Sequence, residues 1–150
     1  ENFKGVCRRN EFIGEFNNAK CFADYAHHPN EILAMQKTFE KTQKKYLFVF
    51  QPHTYSRTKF LMEEFIEALK DEKLLIVYKT YPAREEYDLA GSAKTLYERI
   101  KRVSSGKVLY VEDEKELYDL IEKNRLGYDC VLFLGAGDIY NLAKKCLNKN

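Results

Sequence analysis

The sequence predicts a doubly wound α/β fold, a mostly parallel sheet with flanking helices in the Rossmann-like manner. Three observations predict it. Strand-like and helix-like segments alternate five times along the chain. The strand segments, "YLFVF" (46–50) and "CVLFL" (130–134) among them, are near-continuous apolar runs. Such runs mean burial on both faces, which a parallel sheet covered by helices provides. Finally, 150 residues are the length of one domain and bury enough surface to fold without disulfides or metals.

Each element has its own signal. "GVCRRNEFIGEF" (5–16) alternates with period two and predicts a short antiparallel strand or hairpin at the sheet edge. "AKCFADY" (19–25) is a short buried strand. "NEILAMQKTFEK" (30–41) carries Ile32, Met35 and Phe39 at helical spacing, with Pro29 suited to the first turn. After "YLFVF", the segment 56–70 sets Leu61, Phe65, Ala68 and Leu69 on one face and predicts a single helix. "KLLIVY" (73–78) is the next strand, and 92–103 aligns Leu96, Ile100 and Val103 as a helix. "KVLYV" (107–111) precedes a helix over 113–124 whose acidic start resembles a capping box. "CVLFL" precedes the last helix, 138–147.

Composition excludes several classes. Hydrophobic residues are 45% and charged residues 32%, as in ordinary globular proteins. The net charge of +2 is too balanced to point to nucleic acid, and no aromatic interleaving offers bases a platform. No apolar run is long enough to span a membrane, and no signal peptide is visible. Cys7, Cys21, Cys130 and Cys146 form no C-x-x-C pair and read as buried, reduced thiols of a cytoplasmic protein. The chain opens "ENFKGVCRRN" without Met and reads as a piece of a longer protein.

In a doubly wound sheet, ligands bind at the carboxyl ends of the strands, where strand order reverses. Asp24, Tyr25 and His27 follow the first parallel strand, His53, Tyr55 and Arg57 the second, and "TYPARE" the third. These loops are expected on one shared rim. Two other motifs fail on inspection. "GSAKT" (91–95) has Ala93 and Asp88 where a P-loop needs glycines, and reads as a helix start. "GAGDIY" (135–140) has Tyr140 at the third glycine position of a dinucleotide fingerprint, and reads as a tight turn, with an anion at the helix end as the alternative. Adjacent His27 and His28 do not readily face one metal, and no zinc spacing occurs. His28 reads instead as the entry to the helix behind Pro29. The arginines Arg8, Arg9 and Arg57 suit paired recognition of carboxylate or phosphate.

"GVCRRNEFIGEF", "ADYAHHPNEI", "VFQPHTYSRTKFLMEEF", "YPAREE" and "LGAGDIYNLA" occur in this order from residue 5 to about 143. Together they resemble the C-terminal domain of the Mur ligases, nearest the branch that joins L-alanine to UDP-N-acetylmuramate. The resemblance implies a three-domain, ATP-dependent ligase of peptidoglycan precursor synthesis, with this domain closing over an N-terminal UDP-binding and a central ATP-binding domain. It implies an acyl-phosphate intermediate, with Mg²⁺ held mainly by the central domain. By the same resemblance, Arg9 and Asp24 are catalytic residues on the ATP side. Tyr25 touches ATP and the amino-acid pocket, and His27, His53 and Arg57 shape that pocket. Ala23 stands where many members carry an acid, and Thr54 where many carry arginine; the second departure bears on selectivity for L-alanine. The isolated domain, lacking a P-loop, is expected to be inactive. The rival readings are a ligase that recycles murein peptide and a stand-alone nucleotide- or anion-binding module.

Overall fold

The computed structural model describes residues 9–148. Six strands form one sheet: β1 (Glu11–Phe16), β2 (Ala19–Asp24), β3 (Tyr46–Phe50), β4 (Leu74–Tyr78), β5 (Lys107–Val111) and β6 (Cys130–Leu134). Their order across the sheet is β1-β2-β6-β3-β4-β5. Every pairing is parallel except β1 with β2. The doubly wound class and the antiparallel edge strand are therefore borne out. Positions 5–8 of the expected edge strand, with Cys7 and Arg8, lie outside the described residues.

Six helices cover the sheet: α1 (Pro29–Glu40), α2 (Tyr55–Phe60), α3 (Met62–Leu69), α4 (Ala93–Val103), α5 (Glu114–Asn124) and α6 (Ile139–Asn148). The connections β2→β3, β3→β4 and β4→β5 all travel one way across the sheet, and β5→β6 travels back. Right-handed crossovers then demand that the first three place their helices on one face and the last on the other. The cores obey. One cluster holds Ile32, Phe39, Phe65, Leu69, Leu96 and Ile100 against Phe48, Phe50, Leu75 and Val77. The other holds Leu117, Ile121, Leu142 and Cys146 against Leu47, Val49, Ile76 and Phe133. Consecutive strand residues feed opposite cores, which is why the strands read as unbroken apolar runs. Each fully buried Leu or Phe contributes about 1.5–3 kcal/mol. Cys21, Cys130 and Cys146 are buried.

One expectation fails. The single helix over 56–70 is two helices, α2 and α3, broken at Leu61, whose φ of −104° and ψ of 20° are not helical. The Leu61 N–H still reaches the Arg57 carbonyl and Phe65 N–H reaches Leu61, so the ladder bends rather than ends. Just upstream, the buried Thr58 hydroxyl donates to the Thr54 carbonyl at 2.8 Å, a back-bond of the kind that bends helices.

α1 and α3 are joined at the far end of the sheet from the carboxyl-end loops. The Gln36 amide donates to the Ala68 carbonyl at 2.8 Å and to the Glu72 carboxylate. Burial pushes the Glu72 carboxyl up to about 7, Glu40 and Asp71 push the same way, and the Gln36 bond opposes them. The folded state thus holds a proton that the unfolded chain releases near the ordinary 4.5. Stability therefore falls as pH rises from about 4.5 to 7 and stays lower above that. Glu72→Gln should stabilise the fold by about 1–2 kcal/mol at pH 8 and by nothing measurable at pH 4. Urea unfolding at the two pH values checks this, and an equal gain at both would refute the protonation account.

Candidate active-site rim

The loops after β2, β3, β4 and β6 all leave the sheet at its carboxyl end, as the parallel pairings require. The insertion of β6 between β2 and β3 makes the switch point. There the Gly135 N–H donates to the Asp24 carbonyl at 3.1 Å, and the Gln51 N–H to the Leu134 carbonyl at 2.9 Å. The Gln51 side chain closes the gap. Its amide donates to Asp138 at 2.6 Å, and its oxygen accepts from the Ile139 N–H at 3.0 Å. The amino end of α6 is thereby occupied from within the chain. A Cβ on Gly137 would lie 2.5 Å from the Tyr81 ring, and Gly135 sits at φ +150°. "GAGDIY" is a tight structural turn, as expected.

Asp24 ends β2 with both carboxylate oxygens engaged. One accepts from the Ala26 N–H and the other from the Asn10 N–H, each at 2.8 Å. It therefore clamps the segment before β1 to the loop after β2. A cleft of about 360 Å³ opens beside it, lined by Arg9, Asn10, Asp24, Asn30, Glu31 and Met35. Arg9 meets Glu31 across it, Nη1 to Oε2, at 3.3 Å. His28 is the N-cap of α1 and accepts from the Asn30 N–H at 3.1 Å, the helix-entry role read from Pro29.

A second group lies next to the first. His27 Nδ1 is 2.9 Å from the Tyr25 carbonyl, and the Tyr25 ring stands edge-on to the imidazole at 5.2 Å. A carbonyl only accepts, so His27 carries hydrogen on Nδ1. Glu31 Oε1 is 3.6 Å from the same nitrogen. The His27 and His53 rings are 6.0 Å apart, and His53 stacks on Tyr81 at 5.4 Å. His53 Nδ1 faces Arg57 Nη1 at 3.2 Å. A guanidinium only donates, so His53 accepts at Nδ1 and presents N–H at Nε2. Burial pushes the His53 imidazolium down, Arg57 and then His27 add to this, and Glu85 opposes.

The structure thus brings the six expected residues to one rim in two neighbouring groups: Arg9 with Asp24, and Tyr25, His27, His53 and Arg57. Among the described residues, no carboxylate lies within salt-bridge distance of Arg57. The arrangement can hold an incoming carboxylate at Arg57 and a polyanion at Arg9. Sequence reading singled out neither Glu31 nor Gln51, and took Tyr81 and Glu85 only as part of the "TYPARE" loop. Glu31 faces both groups, and only its spacing of four from His27 hinted at this. Tyr81 is the platform for His53, and Gln51 binds α6. Glu85 accepts from the Tyr55 and Ser56 N–H groups at 2.7 and 3.0 Å and so occupies the start of α2. The Ser56 hydroxyl also donates to Glu85, and this bond together with the Ser56 N–H holds the Glu85 carboxyl below its ordinary value. Thr54 caps α2 at φ +66°, a strained position for a β-branched residue, and its N–H is bound by the Tyr81 carbonyl at 2.8 Å. Ala23 is buried, so the absent acid there leaves no unpaired charge inside. No group of three His, Cys, Asp or Glu side chains among the described residues is placed to hold a metal ion, so Mg²⁺ is not assigned to this rim.

The fold and rim define a doubly wound α/β domain with its polar side chains gathered at the switch point. Residues 8–137 match the family described as Mur ligase, glutamate ligase domain, and the chain belongs to the Mur ligase family. It is 39% identical over 147 residues to the UDP-N-acetylmuramate–L-alanine ligase of Lachnospira eligens, covering 97% of this chain and 32% of that protein. The chain thus spans about a third of the length of the curated relatives it matches. Among solved structures, it superposes on the UDP-N-acetylmuramate-alanine ligase MurC of Thermotoga maritima with a TM-score of 0.74 at 26% identity, covering 98% of this chain and 30% of that one. The murein peptide ligase of Psychrobacter arcticus shares the fold at TM-score 0.77 and 18% identity, with the same coverage.

His53 should titrate below the ordinary 6.5 by NMR. In Arg57→Gln its midpoint should rise but remain below 6.5, because burial is the larger cause. A midpoint unmoved by the substitution would remove Arg57 from the account.

Proposed function

We propose that this chain is the C-terminal domain of an ATP-dependent ligase that joins L-alanine to UDP-N-acetylmuramate in peptidoglycan precursor synthesis, in the cytoplasm. The observation that carries the reading is the rim itself. Two groups of residues, one centred on Arg9 and Asp24 and one on His53 and Arg57, stand side by side at the switch point of the family's fold.

The reaction has two steps. The muramic carboxylate attacks the γ-phosphorus of ATP, ADP leaves, and an acyl phosphate forms. The amine of L-alanine then attacks the acyl carbon. Phosphate leaves, the amine loses its proton, and an amide remains. Mg²⁺ supplies charge neutralisation on the phosphates, held by the ligase's central domain. Arg9 balances nucleotide charge, and Asp24 fixes the segment that carries Arg9. Arg57, oriented by His53, receives the alanine carboxylate, and Tyr25 and His27 wall its pocket. Closure brings the rim to the phosphates and excludes water from the acyl phosphate. The partners are therefore UDP-N-acetylmuramate, L-alanine, ATP and the N-terminal and central domains of the same ligase. This chain alone has no P-loop and should not turn over.

Phosphate release by the full-length ligase, with each substrate omitted in turn, tests the reading. Release should require ATP, UDP-N-acetylmuramate and L-alanine together. Release that ignores L-alanine but accepts a peptide would move the assignment to peptide recycling, and none at all would leave a binding module. Arg9→Ala, at a largely exposed side chain, should lower kcat/KM for ATP by about 100-fold with the fold intact. Unchanged kinetics would strip Arg9 of its role. Restoring the family residue with Thr54→Arg should lower the KM for L-alanine and widen the preference over glycine. An unchanged KM would mean that Arg57 suffices.

A further inference from the structure

Among the described residues, Glu31 is the one carboxylate that pairs with both groups of the rim. It lies in the first turn of α1, where the helix dipole favours an acid. Its two oxygens diverge, Oε2 to Arg9 at 3.3 Å and Oε1 to His27 Nδ1 at 3.6 Å. The partners arrive from different places: Arg9 precedes β1, and His27 follows β2. Glu31 is also less exposed than Arg9, with side-chain accessibilities of 26% and 56%. The carboxylate is thus the more buried member of the pair and the guanidinium the more exposed one.

The contacts are too solvated to contribute much to stability. Their effect is directional. Paired with Glu31, Arg9 lines the cleft beside Asp24. His27 Nδ1 bonds to the Tyr25 carbonyl with Glu31 at 3.6 Å from the same nitrogen, and its ring lies 6.0 Å from that of His53. One side chain therefore sets the geometry of two neighbouring subsites.

We propose that Glu31 is a shared positioning residue, orienting Arg9 for the nucleotide and His27 for the amino acid. The proposal rests on the ligase reading above. It predicts that neutralising one carboxylate disturbs two substrates that bind different residues and spares the third.

The test is steady-state kinetics of the full-length ligase carrying Glu31→Gln, an isosteric change. The KM values for ATP and for L-alanine should each rise about tenfold, with kcat less affected and the KM for UDP-N-acetylmuramate unchanged. A merely structural role would lower active enzyme concentration without this pattern. Adding Arg9→Ala to Glu31→Gln should raise the ATP KM by less than Arg9→Ala does alone, and His27→Ala should behave likewise for L-alanine. If Glu31→Gln does not accumulate, Glu31→Asp serves, since it keeps the charge but is a methylene short of spanning both partners. A rise in only one KM, in all three, or in neither overturns the proposal. Loss of L-alanine-dependent release in the unsubstituted enzyme would instead overturn the ligase reading itself.

Discussion

The rim depends on one constraint, the insertion of β6 between β2 and β3. Without it, the loops after β2 and β3 would follow adjacent strands and their helices would leave on the same face. With it, the chain after β6 leaves on the opposite face, and a crevice opens at the carboxyl ends. The crevice must then be held at a fixed width. Gln51 does this, with one amide reaching β6's exit and the Lys79 carbonyl at 3.3 Å. Only glycine fits at positions 135 and 137, since added Cβ atoms would meet Gln51 and Tyr81. A buried polar side chain with all its bonds made defines one arrangement better than apolar contact would. The stack of His53 on Tyr81 inherits its position from this closure.

The electrostatics follow from the same placement. α2 begins at the rim, and its free N–H groups would attract any nearby anion. Glu85 already fills that place, so the cation left for an incoming carboxylate is Arg57. His53 accepts from Arg57 rather than competing with it, because burial and the guanidinium both favour the neutral ring. The strained Thr54 belongs to this region too. Strain at a β-branched residue persists only where surrounding bonds over-determine the backbone, and here the Tyr81 carbonyl and the helix cap do so.

Much of this was legible in the sequence, and the misses have physical causes. Strands buried on both faces announce themselves by unbroken apolar runs, so all five parallel strands and their common edge could be read. Capping is local, so His28 and Asp113 were legible from their neighbours. The break at Leu61 was not, because the apolar spacing continues across it and the bend comes from a buried hydroxyl. Strand order was not, because periodicity carries no record of which strands pair. Asp24, His27 and His53 were legible as strand-end residues. Glu85, Tyr81 and Gln51 were not, because each acts through contacts distant in the chain. Glu31 looked like an ordinary acidic first turn; only the approach of Arg9 from another element gives it a second meaning.

The rim as it stands is wet. Arg9 is more than half exposed, and the ion pairs around it are surface pairs, individually worth little. The same charges gain several-fold in strength when water is excluded, because the effective dielectric falls. A domain that meets its substrates by closure therefore needs correct geometry beforehand and low dielectric afterwards. Internal clamps supply the first: Asp24 on two backbone amides, Glu31 between Arg9 and His27, and Gln51 across the switch point. In the proposed ligase, the second comes from a surface of the domains against which the rim closes. Matched relatives roughly three times as long are consistent with such a surface. In the proposed ligase, the domain's contribution to catalysis is preorganisation, and its charges act at full strength only once water is excluded.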